Sequence, residues 1–249
     1  MCATRGSWRP TGHGALSELA RAVSPPRLPR SRERHARLPD MPIERELKLL
    51  TAAAGAPQLP SGWTLGSGAL HQLRDTYLEA DGALARASLA LRRREGDPHG
   101  VLYTLKGEPE KTGTALTQRT EIEVGEQTPG EIPLAIVDAL RAGGLSMNVP
   151  LTALRRDVVI EQVRNAWPLQ HGGDAVATLS VDEVSATYAA QQVAWVEMEI
   201  EFSTSLSAVE VELLSTKLQD WFMKQPGYTL GGESKERRAR RIVNERLGR

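Results

Sequence analysis

The stretch that decides the fold is "MPIERELKLL", Met41 to Leu50. Read with the two-residue period of a strand, Glu44, Glu46 and Lys48 point to one side. Ile43, Leu47 and Leu49 point to the other, with Arg45 the one polar member among them. A face with two carboxylates and an ammonium either meets water or lines a cavity where charge does chemistry. One strand does not choose between these, but the pattern recurs. Arg92 and Arg94 share a face in "ALRRRE", and Thr104 and Lys106 share one in "LYTLKG". Arg119, Glu121 and Glu123 do so in "QRTEIEV", and Glu197, Glu199 and Glu201 in "WVEMEIEF". Each stripe alone fits a solvated sheet face. Surface faces usually mix in Ser, Thr, Gln and Asn, whereas these charges are nearly pure and fall in short blocks.

Around these stripes, eight runs alternate like strands: "IERELKLL", "HQLRDTYLEA", "ASLALRRRE", "GVLYTLKGE", "LTQRTEIEV", "ALRRDVVIEQV", "AVATLSVDEVS" and "VAWVEMEIEF". Two runs read as helices. "EIPLAIVDALRAGG" has Pro133 near its first turn and stops at Gly143-Gly144. "SLSAVEVELLSTKLQDWFMKQPG" opens with Ser207 and Glu210 at capping-box spacing. The tail "SKERRARRIVNERLGR" is expected to be a third, basic helix. The expected class is therefore mainly β (α+β): an antiparallel sheet, open or closed, with a few helices outside. Closure into an eight-stranded barrel would turn one charged face inward and remove the edges.

The 249 residues, 40% of them hydrophobic, suffice for a full core. The 31 basic and 31 acidic residues balance, which argues against a general nucleic-acid binder. Cys2 is the one cysteine, so neither a disulfide framework nor a thiolate zinc site is expected. No apolar run reaches the roughly 20 residues of a membrane span, and a cytoplasmic protein is expected. Residues 1–40 are rich in proline and arginine and lack apolar periodicity. They read as a dispensable extension before an initiator at Met41, ahead of a disordered tail or a targeting segment. Residues 41–249 then form the working domain.

Residue types point to a chemistry. Glu197, Glu199 and Glu201 would lie within about 7 Å of each other along a strand and repel unless cations offset them. A hard divalent cation such as Mg²⁺ would do so, keeping waters and phosphate oxygens as further ligands. The basic stripes would meet an anion. At ~4 Å and an effective dielectric near 20, each Arg or Lys contact to phosphate contributes about 4 kcal/mol before desolvation. Together these describe a metal-dependent phosphohydrolase.

The order of the motifs resembles the CYTH superfamily, the triphosphate tunnel metalloenzymes. An E-x-E-x-K first strand stands as Glu44, Glu46 and Lys48. After it come "DTYLEA", "ALRRR", "TLKG", "QRTEIEV", "LSVDEV", "VEMEIEF" and "ESKERR". The likeness covers about residues 41–245 and is greatest to bacterial inorganic triphosphatases. It implies an eight-stranded barrel with a charged tunnel, and hydrolysis of a triphosphate with Mg²⁺ or Mn²⁺. By that resemblance Glu44, Glu46, Glu121, Glu123, Asp182, Glu197 and Glu199 match metal-site carboxylates. Glu197 and Glu199 also match water-activating positions, and Lys48 a catalytic residue beside the substrate. Lys48, Arg92, Arg94, Lys106, Arg119, Arg156 and Lys235 match phosphate ligands, with Arg155 the alternative to Arg156. Thiamine triphosphate hydrolysis, cyclisation of ATP, and non-catalytic sensing of polyphosphate or nucleotide are the other readings. The expected partner is a small triphosphate, with no nucleic acid or membrane, in a monomer or homodimer. The five histidines have no metal-ligand spacing, and "GGESKE" lacks the pattern of a nucleotide P-loop.

Overall fold

The computed structural model describes residues 42–111 and 116–249. The extension and Met41 lie outside the described residues. The chain forms β1 (Ile43–Thr51), β2 (Trp63–Leu65), β3 (Ala69–Glu79), α1 (Ala83–Arg86), β4 (Ala90–Asp97), β5 (Gly100–Lys106), β6 (Glu110–Lys111) and β7 (Leu116–Gly125). It continues through α2 (Leu134–Ala142), β8 (Arg155–His171), β9 (Asp174–Tyr188), β10 (Gln191–Phe202), α3 (Ala208–Phe222), β11 (Tyr228–Leu230) and α4 (Lys235–Leu247). Eight strands close in the order β1, β10, β9, β8, β3, β4, β5, β7 and back to β1, every pairing antiparallel. They are the eight runs expected from alternation. β1 makes the closure: Ile43 to Leu47 pair with β7, and Glu46 to Thr51 with β10.

On β1, β4, β5 and β10 the apolar face points outward and is covered by helices. Leu47, Leu49, Met198 and Ile200 pack against Val211, Leu214, Leu218 and Phe222 of α3. Fully burying a side chain of this size contributes about 1.5–3 kcal/mol, so α3 holds its side of the barrel mainly through this stripe. Its first turn carries the expected capping box: Ser207 N–H donates to Glu210 Oε2 at 2.8 Å, and Glu210 N–H to Ser207 Oγ at 3.3 Å. On the opposite side Leu91, Tyr103 and Leu105 pack against Leu84 of α1 and Ile136 and Leu140 of α2. Pro133 is the N-cap of α2, just before its first turn. The expected basic tail helix is α4. Its Ala239 and Val243 cluster with Tyr77, Val158, Ile160, Val184, Ala186 and Val193, so α4 covers one end of the barrel. No helix among the described residues is long and apolar enough to cross a membrane.

One irregularity corrects a sequence reading. The β3–β8 register pairs Tyr77 with Val158 but Leu78 with Arg156, so Asp157 is the extra residue of a bulge. The bulge breaks the alternation that would have put Arg156 on the same face as Val158 and Ile160. Arg156 is exposed and lies away from the cavity. Arg155 is exposed too and donates to the carbonyls of Thr152 and Leu154.

Candidate active site

The strand faces opposite the apolar ones converge on a cavity of about 240 Å³. Glu44, Glu46 and Lys48 of β1 line it, with Arg92 and Arg94 of β4, Lys106 of β5, and Arg119, Glu121 and Glu123 of β7. Glu199 of β10 and Lys235 of α4 complete the expected residues in the lining, and Glu201 of β10 lies there too. Closure of the barrel thus turns the charged stripe of β1 inward. Asp182 and Glu197, also expected at the site, are 0% and 2% exposed and lie behind the cavity surface. Lys235 comes in from the first turn of α4, whose entry segment hugs β1. Gly231 N–H donates to Lys48 O at 2.9 Å, and a Cβ on Gly231 would come within 3.3 Å of the Lys48 Cβ. "GGESKE" is therefore a close-packed approach to α4.

Asp75 and Arg164 were not among the expected site residues. Asp75, fully buried, accepts from Arg94 Nε at 2.7 Å and Nη2 at 2.8 Å, and Arg92 Nη1 lies 3.5 Å away. It locks both arginines of "ALRRR" in place. Burial opposes its ionisation, but Arg92 and Arg94 prevail and hold its pKa at about 2. Arg164 donates to both oxygens of Asp182, at 2.7 and 2.6 Å, and to Glu199 Oε2 at 2.7 Å. It supplies from β8 the inward guanidinium expected of Arg156. Counting in twos from Val158 through Ile160 and Gln162 reaches it, so a signal was present. Trp195 donates from Nε1 to Glu197 Oε2 at 2.6 Å.

The interior charges fall into two groups. In the first, Arg119 donates to Glu44 and, at 2.7 Å, to Glu46 Oε1. Lys106 lies 3.2 Å from Glu44 and 2.6 Å from Glu121. Burial works against the ionised Glu44, yet Lys106 and Arg119 hold its pKa well below the usual carboxylate range. Glu201 faces this group from the exposed rim and has no hydrogen bond or ion pair with any described residue. Desolvation, then the charge of Glu44, with Glu121 and Glu199 adding and Lys106 opposing, pushes its carboxyl up to about 7. In the second group Asp182, Glu197 and Glu199 can bring one oxygen each within 4.8 Å of one another. Lys48 donates to Glu199, and burial of the ammonium is outweighed by Glu199 and Glu46, so its pKa is raised well above the ordinary value.

The first group supplies carboxylate oxygens, the ligand type a hard divalent cation prefers, and its Glu201 lacks a counter-charge among the described residues. The raised Glu201 has a thermodynamic signature. Between the ordinary carboxylate range and about pH 7 the folded chain binds more protons at this site than the unfolded chain. Stability in EDTA should therefore fall as pH rises across that window. Glu201→Gln should remove this decline, gaining about 1 kcal/mol over the wild type by about pH 8 once solvent screening at the rim is allowed for. Urea unfolding of both chains at about pH 5 and about pH 8 checks it, and an unchanged difference would count against the assignment.

The family model of the CYTH domain matches residues 42–238. The chain belongs to the CYTH family. Solved structures that resemble this CYTH chain include HpAC1 from Hippeastrum, described as an adenylyl cyclase candidate with a dominant triphosphatase activity. It is 20% identical over 83% of this chain and 96% of its own, with a TM-score of 0.47. The PH1819 protein from Pyrococcus horikoshii OT3 is 18% identical over 81% and 99%, with a TM-score of 0.45. The mimivirus capping enzyme triphosphatase is 9% identical over 73% and 88%, with a TM-score of 0.42. A search of curated proteins finds no match to the sequence.

Proposed function

We propose that this CYTH protein hydrolyses a triphosphate with a divalent metal, Mg²⁺ or Mn²⁺, and that its substrate is inorganic triphosphate, cleaved to diphosphate and phosphate. The observation that carries the reading is the mixed lining of one closed cavity, in which guanidinium and ammonium groups alternate with carboxylates. Lys48, Arg92, Arg94, Lys106, Arg119 and Arg164 are the cations available to phosphate oxygens, and bidentate arginine geometry suits them. Glu44, Glu46, Glu121 and Glu201 would hold the metal. When bound, the metal neutralises charge on the phosphate oxygens as the terminal anhydride breaks. Glu199, set by Lys48 and Arg164, is the carboxylate on hand to orient the attacking water. Positioning and electrostatics supply the rate in such a reaction, and no protein nucleophile is required.

A bare triphosphate fits the lining better than a nucleotide or thiamine ester. Among the described lining residues Tyr77 is the one aromatic, and it is 6% exposed, so a base or thiazole ring finds no face to stack on. The test is phosphate release by the full chain from triphosphate, thiamine triphosphate and ATP, each with Mg²⁺, Mn²⁺ or EDTA. Metal-dependent release, fastest from triphosphate, is expected. Preference for thiamine triphosphate, or conversion of ATP to a cyclic product, would transfer the assignment to those activities. Tight triphosphate binding without turnover would make the protein a sensor.

A further inference from the structure

Asp182, Glu197 and Glu199 form the one acidic group among the described residues compact enough to surround a metal ion. Its centre already holds a cation. Lys235 Nζ lies 3.0 Å from Asp182 Oδ2, 2.8 Å from Glu197 Oε1 and 2.8 Å from Glu199 Oε1. The remaining oxygens are engaged as well: Asp182 Oδ1 and Glu199 Oε2 by Arg164, and Glu197 Oε2 by the Trp195 indole. Divalent cations bind carboxylate oxygens at about 2.0–2.6 Å, so an ion placed among these three would collide with the ammonium and be repelled by it.

We propose that Lys235 is the resident cation of the Asp182–Glu197–Glu199 cluster, carried in by α4, and that it excludes divalent metal from that cluster in the native protein. The inference rests on the metal-dependent reading above and divides the expected metal ligands in two. The metal belongs to the β1 side of the cavity, where Glu201 has no counter-charge among the described residues. Asp182 and Glu197 instead anchor α4. The anchoring has supports outside the cluster: Arg240 pairs with Asp157 at 2.6 Å, Arg237 with Glu108 at 2.9 Å, and Ala239 and Val243 are fully buried. The ammonium is thus fixed by packing some distance from its own charge partners. Holding a cation on a helix rather than in solution makes its local concentration independent of the medium. The cluster would accept a metal only if α4 moved away.

The experiment is calorimetric titration of Mn²⁺, without substrate, into the metal-stripped full chain. Glu197→Gln in the wild-type background should leave the number of Mn²⁺ bound unchanged and the affinity within about twofold. Lys235→Gln should add a further Mn²⁺ equivalent, and Lys235→Gln combined with Asp182→Asn should lose it again. Loss of a Mn²⁺ equivalent, or a more than tenfold weakening, in Glu197→Gln would overturn the proposal. So would a Lys235→Gln chain that binds no more Mn²⁺ than the wild type. If Lys235→Gln does not fold, the Glu197→Gln titration decides alone. Wild-type chain that binds no Mn²⁺ at all overturns this inference, while phosphate release, measured separately, decides the reaction.

Discussion

Glu46→Gln is expected to lower metal-dependent phosphate release by about 10³-fold while the barrel stays folded. Glu46 is 3% exposed and takes Arg119 Nη2 at 2.7 Å on one oxygen and Lys48 Nζ at 3.2 Å near the other. Glutamine preserves the volume and one acceptor, so the packing has little reason to change. The variant removes one negative charge from the side of the cavity that would hold the metal. Losing about 4 kcal/mol of the charge stabilisation a metal supplies corresponds to the stated factor. The arginine and lysine around it remain, so triphosphate should still bind. The signature is a collapse of kcat with KM little changed, read from initial rates over a range of Mg²⁺, with thermal unfolding as the check on folding. A loss of less than tenfold would remove Glu46 from the metal site.

The second large effect is on stability. Asp75→Ala should cost about 3–5 kcal/mol, because it strands two buried guanidinium groups. Arg94 and Arg92 are 8% and 7% exposed, and Asp75 is the carboxylate that Arg94 grips with two nitrogens. At roughly 2–4 °C per kcal/mol for a domain of this size, Tm should fall by about 10 °C. The pH dependence has a definite sign. The folded pKa of Asp75, about 2, lies below its unfolded value, so its contribution is complete above the ordinary aspartate range and is lost as pH falls towards 2. Asp75→Ala should therefore lose most against wild type at neutral pH and least in acid. A Tm drop of a degree or two would mean that the arginines find other partners, or water.

The barrel strands were legible because each carries a period-two pattern long enough to outvote local exceptions, and the helices because their caps and stops are written in Ser207, Pro133 and Gly143. The inward stripes were legible for a different reason: charge of nearly one kind on one face of several strands is hard to explain by solvent alone. What failed was parity across an irregularity. Asp157 inserts one residue into β8, so a count of two no longer links Arg156 to Val158. Asp75 went unnoticed because it stands alone between Leu73 and Tyr77, with no charged stripe to mark it. Its role exists only once β3 lies beside β4 and brings Arg94 opposite. Glu79 lines the cavity, but its carboxylate also accepts from the backbone N–H groups of Leu84 and Ala85 and so caps α1, a role that no sequence pattern marks.

The closure through β1 also sets a timetable for synthesis. Glu46 pairs with Thr117 on one side and with Glu201 on the other. The first barrel strand made must therefore wait for the last. At about 5–20 residues per second, the intervening chain takes some 8–30 s to emerge, during which one edge of β1 is open to any passing strand. Glu44, Glu46 and Lys48 make that edge a poor template for aggregation, since charges on a lone strand deter pairing with copies of itself. The residues that later face the cavity thus guard the nascent chain first, and a variant that neutralises several of them together should be harder to produce in soluble form than its folded stability alone would suggest.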